Sequence, residues 1–153
     1  MRHRIYYHIV WTTRGRAPLI DAGLATFLCR FLRQMAREER AHVLEIGMVT
    51  THVHVLTRAH PMADIARLLQ RLKGASSAVA GKERQSSSGT TLKWDKGYAI
   101  HSVSARNLGA VRQYLRDQPK HHPDEVIADW GGDVPELDPH GGEEWLGQDR
   151  RAM

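Results

Sequence analysis

Residues 51–56, THVHVL, carry two histidines one residue apart within an apolar run. In a β-strand such residues project from the same side, so His52 and His54 would share one face. Two imidazoles so placed are either ligands of one metal ion or polar residues of a solvated face. The pair does not run on into the Asp-His of many zinc hydrolases, since Leu56, Thr57 and Arg58 follow. No H-E-x-x-H segment exists, and a structural zinc site wants cysteines, of which the chain has only Cys29. A metal held by two imidazoles keeps open positions for a substrate oxygen. Further along, in NLGAVRQYLRDQPKHH, Tyr114 and Gln118 lie four residues apart and so share a helical face. A tyrosine hydroxyl can act as a covalent nucleophile and a glutamine carbonyl as a hard oxygen ligand. Each has a plainer use, Tyr114 as a half-buried aromatic and Gln118 as an exposed helix end. Packed against the histidine strand, the four would form one site.

The elements that must position them can be read from periodicity. Residues 4–13, RIYYHIVWTT, are β-branched and aromatic and predict a strand, followed by a loop holding Arg14, Gly15, Arg16 and Pro18. Asp21 then caps a helix to about residue 41. Its apolar stripe is Leu24, Phe27, Leu28, Phe31, Leu32 and Met35, with Arg30, Arg33, Arg37 and Arg40 on the other face. Residues 42–50 and 52–58 predict an antiparallel hairpin, because the join is so short. Pro61 and Asp64 open a helix over about 62–83, and the Ser/Gly-rich ERQSSSGTT breaks it. Residues 92–103 predict a strand, or a strand pair around Lys96-Gly97, and 106–118 a helix that stops at Pro119. The order β-α-β-β-α-β predicts an α+β, ferredoxin-like (RRM-like) antiparallel sheet with two helices on one face and an added C-terminal helix. From Pro123 onward, repeated Pro, Gly and Asp predict an irregular extension that Trp130 and Trp145 would dock. The chain thus divides into a domain over 1–122 and an extension over 123–153.

Net charge is +5, unevenly spread: residues 1–122 hold 20 Lys and Arg against 8 Asp and Glu, or +12, and residues 123–153 come to −7. A basic body with an acidic tail suits a nucleic-acid partner, although a solvated charged surface has the same composition. The tail either solubilises the chain or covers the basic surface and competes with DNA. No apolar run is long enough to cross a bilayer and the N-terminus has no cleavable leader pattern, so a cytoplasmic, non-membrane protein is expected. The lone Cys29 cannot form an internal disulfide and falls where a helix would bury it.

At His52-Val53-His54 the sequence resembles the single-tyrosine HUH (histidine, hydrophobic, histidine) transposases of small bacterial insertion sequences. This IS200-like group includes the transposases associated with repeated extragenic palindromes (REP). YYHIVWTTRGR is similar to the family's opening strand and basic loop, and RLLQRLKGASSAV to its second helix with Lys-Gly-x-Ser. WDKGYAIHSV followed by NLGAVRQYLRDQ is similar to its nucleophile helix. The resemblance implies that Tyr114 attacks a single-stranded DNA phosphodiester, leaving a 5′-phosphotyrosyl link and a 3′-hydroxyl that later reseals the strand. It implies that His52, His54 and Gln118 hold Mg²⁺ or Mn²⁺. It further implies a homodimer in which the tyrosine helix can serve the partner's site, and recognition of DNA hairpins at transposon ends. One departure is Thr51, where the family often has an acidic residue.

Single-stranded DNA is held by charge neutralisation and base stacking. Candidate contacts are Arg14 and Arg16 in the loop and Arg67, Arg71 and Lys73 on the second helix, with Trp11, Trp94 and Tyr98 as stacking candidates. Lys73-Gly74 is a place for close approach of backbone to nucleic acid. His101, His121 and His122 read as surface histidines. Two alternatives stand beside the mobile-element transposase. One is a ferredoxin-like binding module without chemistry, although such sheets usually present aromatics where this one would present histidines. The other is a domesticated relative acting on chromosomal palindromic repeats.

Overall fold

A computed structural model describes residues 4–83 and 91–135. Its elements are β1 (Tyr6–Thr12), α1 (Ala22–Glu38), β2 (Ala41–Val49), β3 (His52–Ala59), α2 (Ile65–Gln70), α3 (Ser76–Glu83), β4 (Ala99–Val103), α4 (Leu108–Arg116) and α5 (Gln118–His121). The sheet is antiparallel in the order β2-β3-β1-β4. This is the ferredoxin-like arrangement expected from the sequence.

Local chemistry sets the boundaries. Asp21 caps α1 by accepting from the Leu24 amide at 2.9 Å, and Asp64 caps α2 by accepting from Arg67 at 3.1 Å. The long second helix is not uniform: a π turn, Arg71–Ala75, separates α2 from α3. The expected strand over 92–103 shrinks to β4, with only a bridge between Thr13 and Trp94 upstream. Lys73 Nζ donates to the Asp95 and Gly97 carbonyls at 2.9 and 2.6 Å, and Gly97 is left-handed at φ 82°. Carbonyls drawn to a side chain and a left-handed residue do not extend a ladder. The last expected helix also breaks, at Asp117, rather than stopping at Pro119. Proline lacks the N–H that would continue α4, yet it is tolerated in the first turn of α5.

The two faces of the sheet are covered differently. Ile9, Trp11, Ile46, Met48, Val53 and Val55 pack with Leu24, Leu28 and Leu32 of α1 and Leu68, Leu69 and Leu72 of the second helix. On the opposite face a smaller cluster, Tyr6, Leu44, Leu56, Leu108 and Leu115, seats α4. A β-bulge between Val43 and Glu45 of β2 shifts the register opposite Leu56, leaving Leu44 in this cluster and Glu45 under α4. Residues 123–135 dock on the body through Ile127, Trp130 and Asp133. Arg33 therefore leaves the solvated face assigned to it: it is 4% exposed and makes a bidentate pair with Asp133 at 2.6 and 2.7 Å. The other expected anchor, Trp145, lies outside the described residues.

Candidate active site

The register of β1 and β3 builds the histidine cluster. Val10 pairs with His54 and Thr12 with His52, so both imidazoles sit on the α4 face, buried at 4% and 6% exposure. Their ring centroids are 5.2 Å apart. The Gln118 amide donates to the Tyr114 carbonyl at 3.2 Å, which turns its Oε1 to within 3.3 Å of His52 Nε2. Gln118 is fully buried. Tyr114 is 43% exposed, and its ring lies 5.6 Å from that of His54. The four residues singled out in the sequence therefore converge within one chain.

How α4 comes so close is decided by a missing side chain. Gly47 pairs with His54 across the hairpin, and a Cβ there would lie 2.2 Å from the Leu115 carbonyl oxygen. Only glycine admits the backbone of α4 at this point. Glu45, 1% exposed, then pairs with Arg116 at 2.9 Å and stands 3.9 Å from Arg112. Burial pushes the Glu45 carboxyl up, and Arg116 opposes the shift.

Sequence reasoning missed His8. Its Nε2 lies 2.9 Å from His54 Nδ1 and the two rings stack at 5.1 Å. The signal was available, since His8 in β1 and His54 in β3 share a sheet face once the strand order is known. The histidines read as surface residues also gather here. His122 meets the His52 ring edge-on at 4.7 Å, His121 lies 5.2 Å from the Tyr114 ring, and exposed His101 stands 6.3 Å from His8. Burial holds His8 and His52 below the ordinary imidazole range, and burial with His8 and His52 nearby pushes His54 down to about 3. Neutral imidazoles with free lone pairs are what a metal needs. Among the described residues no three His, Cys, Asp or Glu side chains form a metal-binding group. The groups that could hold a metal ion here are two imidazoles and one amide oxygen.

The basic residues separate into two sets. Arg14 and Arg16 sit in an exposed turn after β1, and Arg16 acts electrostatically on His52 and Glu125. Arg67 and Arg71 instead pair with Glu39 of the α1 end at 2.9 and 3.1 Å, and Lys73 is spent on backbone carbonyls. Of the aromatics, Trp11 is 1% exposed and belongs to the core, Trp94 is half-buried, and Tyr98 is 49% exposed.

A ferredoxin-like sheet bearing an HUH pair beneath a tyrosine helix defines the class, that of the tyrosine transposases. The model of the family described as "Transposase IS200 like" matches residues 1–118, and the chain belongs to that family. The ISDra2 transposase TnpA of Deinococcus radiodurans is 26% identical over 119 residues, covering 76% of this chain and 85% of that protein. Among solved structures, a transposase-assigned protein from Deinococcus radiodurans aligns with a TM-score of 0.59 and 24% identity, over 77% of this chain and 93% of that one. A REP-associated tyrosine transposase bound to a REP hairpin gives a TM-score of 0.59 at 13% identity, over 92% and 93%.

Proposed function

We propose that this transposase cleaves and rejoins single-stranded DNA through a 5′-phosphotyrosine intermediate, with Tyr114 as nucleophile and residues 1–122 as the catalytic domain. The observation that carries the reading is a chain of contacts on one sheet face: the Tyr114 ring stands 5.6 Å from that of His54, the His54 ring stands 5.2 Å from that of His52, and His52 Nε2 lies 3.3 Å from Gln118 Oε1. The Tyr114 oxygen bonds to phosphorus as the bond to the 3′-oxygen breaks; tyrosine gives up its proton and the 3′-oxygen gains one. Resealing is the reverse. His52, His54 and Gln118 would hold Mg²⁺ or Mn²⁺, which supplies polarisation of a phosphate oxygen and offsets charge developing there. His8 fixes the His54 ring from behind, and Glu45 with Gly47 fixes the height of α4. Arg14 and Arg16 are free to take backbone phosphates beside the site, and Tyr98 to stack a base. Arg67, Arg71 and Lys73 contribute positive field but would have to leave their present partners to touch DNA.

Hairpin DNA is the proposed substrate, supported by the hairpin-bound REP relative. That relative's fold spans 92% of this chain against 77% for the Deinococcus structure; the second reading, a domesticated enzyme acting on chromosomal palindromes, uses the same site residues. A pure binding module fits less well. α4 packs over β2 and β3, and the strand face beside it presents His8 and His101 rather than stacking aromatics. Cytoplasmic action follows from a DNA substrate, and no described helix is long and apolar enough to cross a membrane. A homodimer that exchanges α4 remains part of the proposal; each exchanged helix would have to rebuild the Glu45 pair and the Gly47 contact on its partner.

The test is incubation of hairpin-containing single-stranded DNA with the protein and Mg²⁺ or Mn²⁺. Wild type should yield a covalent protein–DNA adduct that Tyr114→Phe and chelation each abolish. Metal-dependent adducts surviving Tyr114→Phe would remove Tyr114 as the nucleophile, and binding without any adduct would favour the module.

A further inference from the structure

The segment beyond residue 118 lies outside the part of the chain that the family model matches, yet it delivers a carboxylate to the back of the site. Glu125 ends a short 3-10 turn, Pro123–Glu125. Its backbone is fixed on both sides, with Glu125 N–H donating to the His122 carbonyl at 3.0 Å and the Glu125 carbonyl accepting from Thr50 at 2.8 Å. Downstream, buried Ile127 and the Arg33–Asp133 pair hold the segment to the body. Its Oε2 accepts from the Thr51 hydroxyl at 2.7 Å, and Thr51 Oγ1 lies 3.0 Å from His52 Nδ1. Thr51 and His52 are both 4% exposed.

We propose that Glu125 is a positioning residue for the histidine site, acting through Thr51 to fix the tautomer and orientation of His52. A threonine hydroxyl has one proton. An ionised carboxylate only accepts, so that proton points at Glu125 and Oγ1 turns a lone pair toward His52. Nδ1 must then carry hydrogen and donate it. Nε2 is left with its lone pair directed toward Gln118 Oε1, which is also an acceptor. Two acceptors facing one another at 3.3 Å repel unless a cation lies between or beside them. Glu125 thereby keeps the site open for a positive charge, as carboxylates behind metal-ligating histidines do. Without the carboxylate, the Thr51 hydroxyl is free to rotate and donate to Nδ1. His52 then protonates at Nε2 and closes onto Gln118 Oε1 with a hydrogen bond that occupies both ligands. Thr51 alone cannot set the tautomer, because its hydroxyl is both donor and acceptor; Glu125 makes it one-way.

The inference rests on the metal reading above, so its test reads two quantities. The tautomer of His52 is followed in metal-free protein by ¹⁵N-imidazole NMR, and Mn²⁺ affinity by calorimetric titration. The variants are Glu125→Gln, Glu125→Ala, and Glu125→Ala combined with Thr51→Asp. Wild type should show the Nδ1–H form. Glu125→Ala should shift His52 toward Nε2–H and weaken Mn²⁺ about 10- to 100-fold, and Glu125→Gln, whose amide can accept from or donate to Thr51, should do so by a smaller factor. Thr51→Asp, whose carboxylate reaches Nδ1 directly, should restore both in the Glu125→Ala background. Loss of a purely structural contact would not be rescued in this way. Glu125→Gln is nearly isosteric and keeps the fold, since the hydrogen bonds of this turn are made by backbone. An unchanged tautomer with Mn²⁺ affinity within about twofold of wild type in both single variants overturns the proposal. Wild-type protein that binds no Mn²⁺ overturns the metal reading instead, and the tautomer alone then decides whether Glu125 orients His52.

Discussion

The two faces of this sheet are built from the same strands and have opposite characters. Beneath it, Ile9, Trp11, Val53 and Val55 meet α1 and the second helix in a continuous apolar core. Above it, the same strands present His8, His52 and His54, and α4 seats its Leu108 and Leu115 on a small cluster with Tyr6, Leu44 and Leu56, beside a glycine and a glutamate paired with arginine. The lower face holds the fold and the upper face holds the geometry. An element resting on few apolar contacts opens at less cost than the core beneath it, so damage above should appear as lost cleavage before lost folding, and damage below as the reverse.

The largest expected effect is therefore on the lower face. Trp11→Ala removes a fully buried indole that meets Trp94 edge-on at 5.7 Å, and should cost about 3–5 kcal/mol in urea unfolding. Any cleavage that survives should fall only with the folded fraction. On the upper face, Gly47→Ala forces a methyl group against the Leu115 carbonyl. Overpacking of this kind costs about 1–3 kcal/mol, but the strain is relieved by lifting α4, which carries Tyr114. Adduct formation should fall at least tenfold while hairpin affinity in a gel-shift assay stays within about threefold. Equal losses of cleavage and folding stability in Gly47→Ala would show that the two faces are not separable.

Much of this was legible in the sequence. The period-two pattern of β1 to β3 and the three-and-four spacing of α1 reflect burial against a core, which acts residue by residue. His52, His54, Tyr114 and Gln118 could be singled out because their chemistry is unusual for those positions and their spacing is local. What was not legible depended on long-range partners. Arg33 reads as one more exposed arginine until Asp133, a hundred residues away, arrives to cover it. His8 is unremarkable until the strand order places β1 beside β3. Arg67 and Arg71 read as DNA contacts until Glu39 occupies them. Pro119 signals a break, but whether the chain stops or restarts depends on what Gln118 meets across the site.

The smallest effect also separates the faces, because the buried histidines His52 and His54 lie on the upper one. His54 is pushed down to about 3 by burial and its histidine neighbours, and His8 and His52 are lowered as well. An unfolded histidine titrates near 6.5. Between that value and the folded one, the unfolded chain binds protons that the folded chain refuses, so stability is complete above about pH 6.5 and falls as pH drops below it. For His54 alone the loss between pH 7 and pH 5 is up to about 2 kcal/mol, since each unit of unshared titration is worth about 1.4 kcal/mol. Urea midpoints at pH 7 and pH 5 measure it. His54→Gln should flatten the dependence, whereas Trp11→Ala should lower stability at both pH values by the same amount. If the two variants kept equal slopes, the acid sensitivity would belong to groups outside the histidine cluster, and the burial of neutral imidazoles above the sheet would lose its support.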